Sequence, residues 1–150
     1  MPRKYSWRRK KLLPRERLKK EAEALLKNFI KEISSLKPKC ILLFGSYARE
    51  DFTELSDIDV CVIAENLPSD ELQRRNLRGV YSTPKIRAIG FYPEEFLNYL
   101  RNLRLFAYDI ISEGRVLYDE GFFAEARRTY QECLKKFKLI KKSQGWRREN

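Results

Sequence analysis

Between Leu18 and Leu36 the apolar residues recur at helical spacing, with Leu18, Ala22, Leu25, Leu26, Phe29, Ile30, Ile33 and Leu36 on one face. Pro14 suits the first turn of such a helix and Pro38 stands beyond its end, so the pattern predicts one long amphipathic helix. The period then changes. Cys40 to Phe44 is an unbroken apolar run, read as a buried strand. It is followed by a Gly45-Ser46 turn, one helical turn at Tyr47-Ala48-Arg49, and a polar loop from Glu50 to Ser56. A second strand is predicted over 57–63, where Ile58, Val60 and Val62 alternate with Asp57, Asp59 and Cys61. Ser69-Asp70-Glu71 reads as a helix start, giving a helix over 70–81 that ends near Gly79, and Lys85 to Phe91 reads as a third strand. Pro93 opens a helix to about Leu103, with Glu94 and Glu95 in its first turn, and Leu105 to Glu113 forms another that stops at Gly114. Arg115 to Tyr118 is a short edge strand. Phe122 to Lys138 is a last amphipathic helix that buries Phe123, Ala126, Tyr130, Cys133, Leu134 and Phe137. The fold class expected is α/β: a small mixed β-sheet with helices packed mainly on one face, the other face open at the acids, and helices at both the N-terminal and C-terminal ends.

The chemistry concentrates where the pattern is broken. In a strand, residues i and i+2 point to one face, so Asp57 and Asp59 would project together with Cα atoms roughly 7 Å apart. Paired carboxylates in an apolar strand repel and are costly to bury unless a cation lies between them. Magnesium, or manganese in its place, suits such a pair, because it takes hard oxygen ligands and completes its shell with water and substrate phosphates. Upstream, Gly45 lets the backbone approach a phosphate and Ser46 opens the short helical turn behind it. Arg49 could meet a phosphate or pair with Asp51, Asp57 or Asp59. Tyr47 could stack on a base or cover the helix behind it.

Phe44-Gly45-Ser46-Tyr47-Ala48-Arg49 followed by Ser56-Asp57-Ile58-Asp59 resembles the core motif of the minimal nucleotidyltransferase family, a branch of the polymerase β-like superfamily. The resemblance is sharpest over residues 40–63 and extends more loosely to about residue 120. It implies a nucleotidyltransferase-like domain over 14–138, flanked by a basic N-terminal extension, 1–13, and a basic C-terminal tail, 139–150. It further implies a nucleotidyltransferase with two-metal chemistry, Asp57 and Asp59 bridging the ions, and an NTP substrate, ATP foremost, held by Gly45, Ser46 and Arg49. Relatives usually carry a third carboxylate on the next strand. Here that strand is Lys85-Ile86-Arg87-Ala88-Ile89-Gly90-Phe91, with Arg87 at or near the slot, and Glu50 stands where many relatives have glycine. Three functions stay open at this point. The chain could transfer a nucleoside monophosphate to a protein or RNA hydroxyl; it could bind nucleotide or nucleic acid without turnover; or it could act as antitoxin partner of a small helical HEPN-type ribonuclease, as members of the family often do.

Charge and composition narrow the rest. The net charge of +11 is divided: residues 1–20 carry ten Lys/Arg against Glu16, residues 134–150 carry seven against Glu149, and the stretch between is net −4. Tyr5, Trp7 and Trp146 stand among these cations, which suits the basic ends to RNA or another nucleic acid, with rings stacking on bases, or leaves them as solubilising tails. With no histidine, and with Cys40, Cys61 and Cys133 scattered, Ser-His and Cys-His catalysis are excluded and zinc binding is not expected. No apolar run approaches the ~18 residues of a membrane span and no secretory leader is evident, so a cytoplasmic protein without membrane attachment is expected.

Overall fold

The computed structural model describes residues 14–149. Helix α1 (Pro14–Glu32) runs into a 3-10 turn (Ser34–Leu36), and Lys37, at φ 54°, turns the chain into β1 (Pro38–Phe44). One turn of helix, α2 (Ser46–Arg49), a polar loop and β2 (Ile58–Ala64) follow. Then come α3 (Glu71–Arg74), β3 (Ile86–Phe91), α4 (Pro93–Arg101), α5 (Leu105–Glu113), β4 (Arg115–Asp119), α6 (Phe122–Phe137), β5 (Leu139–Lys142) and β6 (Gly145–Arg148).

The main sheet has the order β3-β2-β1-β4. Strand β1 is antiparallel to both β2 and β4, while β3 runs parallel to β2. Both faces of the central strands are buried, which is why they read as continuous apolar runs. One face carries Ile41, Leu43, Ile58, Val60, Val62, Ile86 and Ala88 against Ala22, Leu26, Phe29 and Ile33 of α1. The other carries Cys40, Leu42, Phe44, Cys61, Ile63, Ile89 and Phe91 against α4, α5 and α6. Three helices thus cover one face and α1 the other. The expectation that the acids lie on an uncovered face is corrected: Asp59 pairs in register with Phe44 and alternates with Val60, so it projects from the three-helix face, at the end of β2. Alternation places the acids together but carries no information on which face the helices take.

The helix predicted over 70–81 is a single turn. Asp70 caps it, accepting from the Gln73 amide at 3.1 Å, but the Leu77 amide is then captured by the Ala88 carbonyl of β3 at 3.2 Å and Leu77 is buried. An edge-strand acceptor thus outcompetes the helix. The Pro93 helix stops at Arg101, before Leu103 takes a left-handed conformation at φ 58°.

The basic C-terminal tail is also corrected. Residues 139–148 form an antiparallel hairpin whose turn uses Gly145 at φ 113°. Trp146 faces inward: its indole N–H donates to Asp109 Oδ1 at 2.7 Å and its ring meets those of Tyr108 and Tyr130. A ring seated in this way is not offered to a base. The basic N-terminal extension, with Tyr5 and Trp7, lies outside the described residues. Trp146→Ala should cost about 2–3 kcal/mol, below the cost of a fully buried Trp, in urea unfolding followed by far-UV circular dichroism. A change within 0.5 kcal/mol, of the order expected for a surface substitution, would restore the tail reading. No helix of the described residues is long and apolar enough to cross a membrane.

Candidate active site

Gly45 ends β1 in a conformation of φ 73° and ψ −155°, and its carbonyl accepts from the amides of Ala48 and Arg49 at 3.1 and 3.0 Å, forming α2. Side chains rarely adopt this φ, and a Cβ on Gly45 would also run into Oδ2 of Asp59. Glycine is therefore required twice over: once for the turn, and once so that the main chain can press against the carboxylate. Ser46 follows, half-buried, as the first residue of α2. Tyr47 covers the helix side rather than presenting a ring to solvent; it is buried and stacks on Phe52 at 4.1 Å.

Asp57 stands one residue before β2 and Asp59 is its second residue, so the structure brings Asp57, Asp59, Gly45 and Ser46 to one end of the sheet. Their environments differ: the Asp59 side chain is 12% exposed and that of Asp57 42%. Burial pushes the Asp59 carboxyl above its ordinary range, the Asp57 charge adds to this, and Arg87 opposes it without cancelling it.

Arg87 lies directly beside Asp59 in the parallel β2–β3 register. Its Nε and Nη2 each stand 2.8 Å from Asp59 Oδ1, and Nη1 stands 3.9 Å from Asp57 Oδ2. The slot assigned to Arg87 thus places a guanidinium on the aspartate pair. Glu94 and Glu95 do not replace the missing acid, since Glu94 pairs with Arg101 and Glu95 with Arg74 and Arg75.

Arg49 takes the ion-pair role, 3.1 Å from Asp51 and 3.1 Å from Glu113 of α5. Glu113, 16% exposed, also lies 3.5 Å from Lys141 of the hairpin. This rim of Lys141, Glu113, Arg49 and Asp51 leaves no trace in the sequence pattern, because Arg49 and Glu113 are 64 residues apart.

Among the described residues no three acid or cysteine side chains gather as a metal-binding group. Two carboxylates still suffice for one hard cation whose shell is completed by phosphates and water. Asp57 is open to solvent, and Oδ2 of Asp59 lies apart from the oxygen that Arg87 engages, in the space left by the absent Gly45 side chain. The donor set therefore fits one ion. It does not supply the third acid of a two-ion site.

A family model described as "Polymerase beta, Nucleotidyltransferase" matches residues 25–121, which spans the sheet, the Gly45-Ser46 turn and both aspartates. Two proteins of Methanocaldococcus jannaschii provisionally described as protein adenylyltransferases are similar to this chain. One is 46% identical over 48 residues, covering 30% of this chain and 48% of that protein; the other is 34% identical over 103 residues, covering 64% and 97%. The chain thus spans about half the length of the first and nearly all of the second. Among solved structures, a toxin–antitoxin crystal structure with AMP-PNP aligns with a TM-score of 0.46 at 21% identity, over 73% of this chain and 90% of that one. With the match over 25–121 joined to a Gly-Ser turn pressed on an Asp-x-Asp strand, the chain belongs to the polymerase β nucleotidyltransferase family.

Proposed function

We propose that the chain transfers AMP from ATP to a hydroxyl of a protein side chain, with one magnesium or manganese ion carried at Asp57 and Asp59. The observation that carries this reading is the approach of the Gly45 main chain to the Asp59 carboxylate, which brings the Gly45-Ser46 turn and the acid pair together. The designation of the similar archaeal proteins supports AMP and a protein acceptor.

In the proposed step the acceptor oxygen bonds to the α-phosphorus, the bond from that phosphorus to the α–β bridging oxygen breaks, and pyrophosphate leaves. The hydroxyl proton passes to the Asp57 carboxylate, the more exposed of the pair, and on to solvent. Ser46 and the amides of the Gly45 turn hold the phosphates. The bound cation would supply neutralisation of phosphate charge, the main demand of such reactions.

The test uses ATP labelled at the α-phosphate, magnesium and the proteins of a cell extract as acceptors. Label should enter protein from the α position and not from the γ position. Asp57→Asn should cut incorporation about 100-fold, equivalent to ~3 kcal/mol of lost charge stabilisation. Incorporation from the γ position, or an unaffected Asp57→Asn variant, would overturn the proposal.

A further inference from the structure

We propose that Arg87 is a resident cation standing in for the second metal ion of the site, which holds this protein to a single divalent ion bound together with nucleotide. The inference rests on the nucleotidyl-transfer reading and adds to it the count of ions and the residue that sets the count.

Three observations carry it. The strand register sets Arg87 beside Asp59 at the level of the main chain. Two of its nitrogens engage one oxygen of Asp59 while a third reaches toward Asp57, so the guanidinium spans the pair that would otherwise bridge two ions. And no third acid joins them among the described residues. A guanidinium is never deprotonated in a protein, so its charge is permanent. Two carboxylates and one guanidinium leave a single net negative charge, enough to receive one ion with a triphosphate. A second divalent ion would lie against the guanidinium and be repelled by it. The side chain is 57% exposed, so its face away from Asp59 is open to the incoming phosphates. Arginine suits that contact, because its remaining N–H groups form a planar fork for phosphate oxygens.

The experiment counts ions. Manganese bound to the full chain is measured by electron paramagnetic resonance in the presence of a saturating non-hydrolysable ATP analogue. The wild type should bind one manganese and Arg87→Asp two, with circular dichroism confirming that the variant is folded. Two ions in the wild type, or one in a folded Arg87→Asp variant, would overturn the proposal. Should three neighbouring carboxylates prevent that variant from folding, Arg87→Gln removes the charge without adding a ligand. It should bind the first ion at least about tenfold more tightly, and an unchanged affinity would overturn the proposal. Failure of the wild type to bind the nucleotide at all would defeat the transferase reading and this inference together. Nucleotide bound with a different ion count defeats this inference alone.

Discussion

Asp59→Asn is expected to abolish magnesium-dependent ATP binding while leaving the protein as stable as the wild type or more so. The two halves of this expectation have one cause. The Asp59 side chain is only 12% exposed, and burial pushes its carboxyl above the ordinary value of 3.8 despite the adjacent guanidinium. A carboxyl raised in the folded state makes ionisation unfavourable to the fold: stability falls as pH rises from the ordinary value through the folded one, and the deficit persists at neutral pH. Asparagine is nearly isosteric, can still accept from Arg87, and removes that cost. Arg87 is 57% exposed and keeps its hydration, so losing its charged partner costs little. A hard cation, by contrast, loses the ligand that faces Gly45, and the amide is a much weaker substitute. Calorimetric titration with ATP, with and without magnesium, should show affinity falling by at least about 100-fold, ~2.7 kcal/mol, in the magnesium arm. The melting temperature should stay level or rise. Retained magnesium-dependent binding would remove Asp59 from the site. Lost binding with a melting temperature lower by ~4 °C or more, the shift that about 1 kcal/mol produces in a domain near this size, would make Asp59 a structural anchor instead.

A costly charge kept within an apolar strand is what makes the site legible in the sequence. Asp59 interrupts a run whose every other member is buried, and Gly45 sits where only glycine tolerates both the backbone angle and the neighbouring carboxylate. Helix α1, strands β1 to β3 and helices α4 to α6 are legible for a simpler reason, since each buries a face wide enough to impose its period. The placement of Arg87 follows from strand pairing, because a parallel β2–β3 register fixes which residue lies beside Asp59. What stays hidden is what distant partners decide. The Leu77 amide leaves its helix for a carbonyl on β3, the hairpin of 139–148 has strands too short and too basic to show alternation, and Glu113 meets Arg49 across the fold. Which sheet face carries three helices is also a packing outcome, because residues 40–44 of β1 are apolar on both faces in sequence.

The largest structural effect is expected at Glu95, which plays no part in the chemistry but holds the strand that bears Arg87. Glu95 begins by closing α4, accepting from the Tyr92 amide at 3.0 Å, and its carboxylate also receives Arg74 at 3.0 and 2.8 Å and Arg75 at 2.7 Å. Arg74 is anchored to the carbonyls of Pro68 and Ser69, and Arg75 to the Gly90 carbonyl of β3 and the Tyr99 hydroxyl. The three charged side chains are only 9, 20 and 15% exposed for Arg74, Arg75 and Glu95. Glu95→Ala therefore strands two desolvated guanidiniums around a lost carboxylate, a change that typically costs about 3–5 kcal/mol, here toward the lower end because the carbonyl partners remain. Glu95→Gln keeps the shape and one acceptor and should cost less. Burial alone would raise the Glu95 carboxyl, but Arg74 and Arg75 outweigh it and hold it below the ordinary glutamate value of 4.5. For a carboxyl lowered in the folded state, the stabilisation is complete above the ordinary value and drains away as pH falls from there through the folded value. Urea unfolding should accordingly show the wild type losing stability below about pH 4.5, with Glu95→Gln losing less over the same interval. The cost of Glu95→Ala is read at neutral pH, and a value below ~1 kcal/mol there would mean that the two arginines are satisfied without their anion. In that case β3, and with it Arg87, is held without the Glu95 carboxylate, by its pairing with β2, the Leu77 amide on the Ala88 carbonyl and Arg75 on the Gly90 carbonyl.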